Sequence, residues 1–186
     1  MFLKFTIERT INVSKEVCLW NTWDHEHLYF VHKQFKNAKI LIENQKSVVI
    51  ETRLKVPFIP FEFSCLHSLF EAEDRNVVVI DTLPFGAWVK LEMNYREIGN
   101  KQTRLENNYR IYLPFYMAPL LPFLKSLIIK WNNINWEEDL PLKKRRQMAL
   151  DLGFRDFRGR ISSPSRNTPF SLPIRRTKSS HIDINL

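Results

Sequence analysis

Between residues 38 and 113 the chain offers six strand-like runs in succession, joined by breaks that leave little room for anything but a reversal of direction. The runs are AKILIEN at 38–44, SVVIETRLKV at 47–56, FEFSCLHSLF at 61–70, NVVVIDTLP at 76–84, AWVKLEMNYREI at 87–98 and TRLENNYRIYL at 103–113. Polar triplets separate several of them (Asn44-Gln45-Lys46, Glu73-Asp74-Arg75, Gly99-Asn100-Lys101), and Pro57 and Pro60 interrupt another. Parallel neighbours need a crossover of about a dozen residues or more, so this spacing predicts an antiparallel meander.

The flanks complete the pattern. LKFTIERTIN at 3–12 alternates as a further strand. Ser14 is placed to cap a short helix over 14–22 with Glu16 in its first turn, and Asp24 to cap a second through residue 32. From Ala118 the period changes: Leu120, Leu124, Leu127, Trp131 and Ile134 recur at three or four. That predicts a helix with one apolar stripe, reaching about residue 150 before Gly153, with a kink or restart at Pro141. One strand, two short helices, six strands and one long helix make an α+β helix-grip arrangement, a curved antiparallel sheet of about seven strands around a C-terminal helix. Over roughly residues 2–152 this order resembles the START/Bet v 1-like superfamily. The resemblance implies a large apolar cavity between sheet and helix. Phe58, Phe61, Phe63, Phe70, Phe85, Trp88, Phe115 and Phe123 are the aromatics available to line it.

Charge divides the chain in two. Residues 155–186 hold seven basic residues against two acids, a net +5 of the chain's +8, and leave +3 for residues 1–154. The expected organisation is a helix-grip domain over 1–154 and a basic, Ser/Pro/Arg-rich, disordered tail over 155–186. The high isoelectric point therefore says little about what the folded part binds, and no folded module for specific nucleic-acid recognition accompanies it. Two isolated cysteines, Cys18 and Cys65, form no C-x-x-C metal framework. No run of about 18 uncharged apolar residues appears, and the alternating start is a poor signal peptide. The expected location is reducing and cytoplasmic. Leu113–Trp131, rich in large apolar groups and prolines, is expected to cover the cavity, or else to rest on a membrane surface beside the basic run from Lys143 to Arg146.

Asp24, His25, Glu26, His27 and His32 fall within nine residues, and three of the chain's five histidines are among them. The spacing Asp24-x2-His27-x4-His32 supplies two imidazoles. Two neutral imidazoles and a carboxylate, with open positions left over, suit Fe(II). The C-terminal helix can provide the third donor. At about 100° per residue with Trp131 at zero, Ile134 falls near about −60°, Glu138 near about −20°, Asp139 near about +80° and Glu137 near about −120°. Glu138 then lies on the buried stripe and Asp139 at its edge, where an unpaired carboxylate requires a cation or a buried partner. Positions five apart on a straight helix differ by about 140°, so His27 and His32 converge only where the helix ends or bulges between them.

WDHEHLYFVH is similar to the D-x2-H-x4-H signature of the catalytic domain of Rieske-type ring-hydroxylating oxygenases, and WEEDLPLKKRRQ resembles the acidic segment that supplies that family's carboxylate ligand. The resemblance implies His27, His32 and Asp139 or Glu138 as ligands of Fe(II), with Asp24 as the acid that hydrogen-bonds a histidine. The chain has no C-x-H and C-x-x-H pair for a Rieske cluster, so an oxygenase of this kind depends on a separate electron-transfer protein. The alternative is a non-enzymatic carrier or sensor of a hydrophobic small molecule such as a lipid, polyketide, isoprenoid or pigment. His67 is in phase with Phe61, Phe63 and Cys65 on one strand face and is a candidate ligand contact with Phe61, Phe63 and Trp88. Asp81 and Glu92 lie within strands, facing either ligand or solvent.

Overall fold

The computed structural model describes residues 1–44, 46–55, 62–73 and 76–154, the side chains of Glu26, Tyr29 and Asn37 excepted. The expected tail, Phe58 and Phe61 lie outside the described residues.

Strand β1 (Phe2–Ile11) leads into helices α1 (Lys15–Trp23) and α2 (His25–Val31). Six strands follow: β2 (Phe35–Glu43), β3 (Ser47–Lys55), β4 (Glu62–Glu71), β5 (Val77–Thr82), β6 (Trp88–Gly99) and β7 (Gln102–Tyr112). A 3-10 turn over Phe115–Leu120 then opens the long helix α3 (Leu121–Asp151). The strands form one sheet in the order β1-β7-β6-β5-β4-β3-β2, with every neighbouring pair antiparallel. The meander accounts for five of the six pairings. The sixth returns β1 to the far edge, beside β7, with Phe2 opposite Tyr112 and Ile11 opposite Thr103. The curled sheet wraps around α3 as the helix-grip order requires.

Alternation decides which side chains face the helix. Val48, Ile50, Thr52 and Leu54 of β3 are buried while Glu51, Arg53 and Lys55 are exposed. Ile50, Val48, Leu69 and Val77 join Val13, Val17, Cys18 and Leu19 in one core beneath α1. Ile111, Leu113 and Ala87 form a second core against Leu124 and Ile128 at the start of α3. The two cores close the opposite ends of the sheet–helix sandwich.

Two helix ends follow the predicted chemistry and one does not: Asp24 stands at the N-cap of α2, but its side chain makes no capping hydrogen bond. Ser14 caps α1, its side chain accepting from the Val17 N–H. α3 stops where Gly153 takes φ +90°, a left-handed conformation that suits glycine, and its N–H bonds back to the Leu150 carbonyl. Pro141 departs from expectation: helical conformation runs unbroken through it. Pro141 is exposed, as is Glu137 one turn earlier, so water can serve the carbonyl that proline leaves without a donor.

Ile50 is fully buried on the central part of the larger core. Ile50→Ala is expected to destabilise the fold by about 2–5 kcal/mol, read as a lower urea midpoint at unchanged m-value; a change within about 0.5 kcal/mol, the range of ordinary surface substitutions, would place the core elsewhere.

Candidate functional site

A cavity of about 520 Å³ opens between the concave face of the sheet and α3. Its wall is mostly aliphatic and aromatic, with Leu54, Leu69, Val79, Leu91, Leu105 and Trp131 among its residues. Met117, Leu120, Phe123, Leu124 and Leu127 line it from the segment expected to cover it. Phe85, Phe115 and Phe123 are strongly exposed at the same end, and Tyr116 donates its hydroxyl to the Phe85 carbonyl.

His27, His32 and Asp139 converge on the cavity wall. The convergence has a local cause. α2 ends at Val31, and His32 as its C-cap takes an extended conformation (φ −94°, ψ 112°), which turns the second imidazole back towards the first. The ring centroids stand 5.2 Å apart at 68°. His27 Nδ1–H donates to the Asp24 carbonyl, which leaves Nε2 with the lone pair. That Nε2 lies 3.4 Å from Asp139 Oδ1, and His32 Nε2 lies 3.3 Å from the same oxygen. On its other side His32 Nδ1 meets Glu138 Oε2 at 2.9 Å. Asp139 therefore faces both imidazoles while Glu138 backs one of them and stays off the cavity wall. Lys143, one turn further along α3, holds Asp139 Oδ2 at 2.9 Å and lies over the Trp136 ring at 4.8 Å.

The cluster is buried, and its charges adjust to that. Burial lowers the pKa of His27 against the upward pull of Asp139 and Asp24. Burial also disfavours charge on His32, but its contacts with Asp139 and then Glu138 outweigh that and raise its pKa. For Asp139, burial acts upward; contact with His32 and the charges of Lys143 and the two histidines hold the carboxyl well below the usual range. His27 neutral, His32 charged and Asp139 ionised is the arrangement these directions favour.

Two of the three donor–donor edges have the length that a divalent first-row metal requires. All three ligand atoms lie within 4.8 Å of one another. Bonds of about 2.0–2.2 Å from one ion require neighbouring donors about 3–3.6 Å apart, and both measured edges fall in that range. Asp139 Oδ1 faces the Nε2 atoms of both histidines and makes no well-aligned hydrogen bond among the described residues, so an acceptor is present where a cation would sit. Filling the site requires His32 to release its proton.

Several predicted positions are corrected. The Asp24 carboxylate does not orient a histidine: it pairs with Arg146, and only its backbone carbonyl reaches His27. Arg146, the last residue of the basic run expected beside a membrane-facing segment, is buried; it donates to Asn21 Oδ1 at 2.7 Å and stacks over Trp20 at 4.3 Å. Lys143 is buried too. The signal was present in the spacing, since residues 139, 143 and 146 recur at four and three along the stripe. Trp88 does not line the cavity. Val89, Leu91, Met93 and Tyr95 do, so alternation turns Trp88 to the outer face, where it stacks on Tyr112 at 5.8 Å. Glu92 shares that outer face and pairs with Lys90. Phe70 and Phe115 also stay off the lining, whereas Phe63, His67 and Asp81 are part of it. His25 packs edge-on against Trp23, away from the triad.

No protein-family model matches the sequence, and no curated protein matches it. Solved structures do. The Zhui aromatase/cyclase from Streptomyces sp. R1128 superposes with a TM-score of 0.67 at 11% identity, over 78% of this chain and 96% of that one. A START superfamily protein from Mycobacterium smegmatis gives 0.56 at 11% identity, over 77% and 97%. Norcoclaurine synthase from Thalictrum flavum gives 0.55 at 11% identity, over 76% and 87%. At such identities the likeness establishes the helix-grip fold and nothing finer. It lends no support to the resemblance to ring-hydroxylating oxygenases.

His32 and His27 are expected to titrate apart in metal-free protein: long-range proton–nitrogen NMR will find His32 protonated at a pH where His27 is the neutral Nδ1–H form. A raised folded pKa makes the His32 contribution complete below its ordinary value of 6.5 and lost as pH rises through the folded value. Asp139→Asn should lower the His32 pKa and flatten that part of the stability profile; an unchanged His32 titration would show that Asp139 does not hold it.

Proposed function

We propose that this protein binds a hydrophobic small molecule in the cavity between its sheet and α3, as a carrier or sensor of the START/Bet v 1 type. The observation that carries the reading is the cavity itself, about 520 Å³ with a mostly apolar wall and polar groups confined to a few places. Pockets of that volume and character suit drug-sized apolar ligands. Lipids, polyketides, isoprenoids and pigments all belong to this class. The aromatic lip formed by Phe85 and Phe123 gives such a molecule an apolar approach, and it also suits contact with a membrane surface.

An apolar fluorescent probe such as N-phenyl-1-naphthylamine is expected to bind the native protein at one site per chain. Leu91→Trp, which fills the cavity from β6, should weaken it by about tenfold or more, some 1.4 kcal/mol, with the circular dichroism spectrum preserved. Equal probe binding by the two proteins would remove the cavity as the binding site.

The convergence of His27, His32 and Asp139 favours a second reading, in which a metal occupies the polar end of the same cavity. Fe(II) held there would supply dioxygen chemistry, with electrons delivered by a separate protein. The chain's own part is defined by its residues: His27 and His32 present Nε2, Asp139 presents Oδ1, the Asp24 carbonyl and Glu138 fix the two rings, and the apolar wall excludes water. Anaerobic reconstitution with Fe(II) followed by metal analysis is expected to give close to one ion per chain in the native protein and none in the His27→Ala, His32→Ala double variant. Absence of metal from both, with the probe still bound, would leave the carrier reading alone.

A further inference from the structure

His67 and Asp81 form a second polar site in the cavity, separate from the histidine–aspartate triad. They are directly opposed across β4 and β5, on the face that carries Phe63, Leu69 and Val79 into the cavity. His67 Nδ1 meets Asp81 Oδ1 at 2.5 Å. Both side chains are largely withdrawn from solvent, at 12% and 28% exposure. Phe35 stands between this pair and the triad, its ring centroid 6.0 Å from that of His32 and 6.3 Å from that of His67.

A hydrogen-bonded imidazole–carboxylate pair in an apolar wall contributes little to stability, and well-packed apolar side chains of similar volume serve as well or better. The pair does have a chemical consequence. A carboxylate at Nδ1 fixes the proton there, so the neutral imidazole keeps its lone pair on Nε2. No protein hydrogen bond to Nε2 occurs among the described residues. Within a wall dominated by hydrocarbon, a pre-oriented acceptor of this kind rewards a ligand that brings a donor and discriminates against one that does not.

We propose that His67, oriented by Asp81, is a recognition site for a hydroxyl group on the bound molecule. The ligand is then an apolar molecule, phenolic, enolic or alcoholic, whose hydroxyl lies on the far side of Phe35 from the triad. The inference rests on the cavity reading and makes it more specific, because it excludes pure hydrocarbons and simple esters as the preferred class.

The test compares 2-naphthol with 2-methylnaphthalene, two compounds of similar shape of which only the first has a hydroxyl donor, by the fluorescence of the ring system. Differences in their hydration cancel when the ratio of affinities in the native protein is set against the ratio in a variant. His67→Phe is expected to reduce the preference for 2-naphthol about tenfold while 2-methylnaphthalene binds as before, which also reports that the variant is folded. Asp81→Ala, which frees the imidazole to turn, should reduce the preference in the same direction, and it carries the test where His67→Phe does not fold. An unchanged ratio with both compounds bound would overturn the hydroxyl site and leave the cavity reading standing. Binding of neither compound by the native protein would overturn the cavity reading and the inference together.

Discussion

A carboxylate kept from water at Asp139 is the interaction around which the helical side of this molecule is arranged. An isolated buried charge is costly, and it persists only where partners are held in place. Here they come from two elements. Lys143 reaches back one turn along α3, and His27 and His32 approach from either end of α2. One turn further, Arg146 ties α3 to Asp24 and Asn21, at and beside the junction of α1 and α2. The stretch from Asn21 to His32 is thus fastened to α3 by charge-assisted contacts at two successive levels. That fastening sets one polar part of the cavity, and the sheet and the first half of α3 supply most of its apolar wall.

Geometry at α2 illustrates how a small feature of chain direction creates chemistry. Had the helix continued through His32, the two imidazoles would have diverged. Ending it at Val31 turns His32 inward and places both Nε2 atoms near one oxygen. The Asp24 side chain makes no capping hydrogen bond to α2 because Arg146 holds it, while its carbonyl takes the His27 Nδ1–H. One residue therefore serves two elements by different atoms.

Much of the fold was legible from period alone. Alternation located all seven strands to within a few residues, and the change to a three–four repeat located α3, because each face is either buried or solvated and the pattern records which. The angular reading brought Glu138 and Asp139 to the inner side of α3 but inverted their order: Asp139, expected at the edge of the stripe, lines the cavity, and Glu138, expected on the stripe, stays off its wall. Two further things were not legible. The basic run from Lys143 to Arg146 stands out by composition as a charged stretch, yet Lys143 is buried against Asp139 one turn back, and Arg146 is drawn inward by Asn21 and Asp24, more than a hundred residues away in sequence, partners that no local window contains. The parity of β6 was the other. Trp88 belongs by size to a cavity wall, but the strand register puts Val89 there, and a one-residue offset moves a side chain to the opposite face.

The polar groups of the cavity argue for what it selects. A cavity that served only to hold apolar mass would be most stable with an apolar lining throughout. This one interrupts its hydrocarbon wall with polar groups, among them the triad on the helical side and His67 and Asp81 on the sheet, with Phe35 in contact with a histidine from each. Burial of apolar area supplies affinity without direction, whereas a few fixed donors and acceptors decide orientation. Two such points on opposite sides of one aromatic ring fix both the position and the facing of a rigid molecule. A flexible chain could meet either point without the other. On the proposed reading of the cavity as a ligand site, the separation of these polar groups would favour a rigid ring system carrying more than one oxygen over a single-tailed lipid.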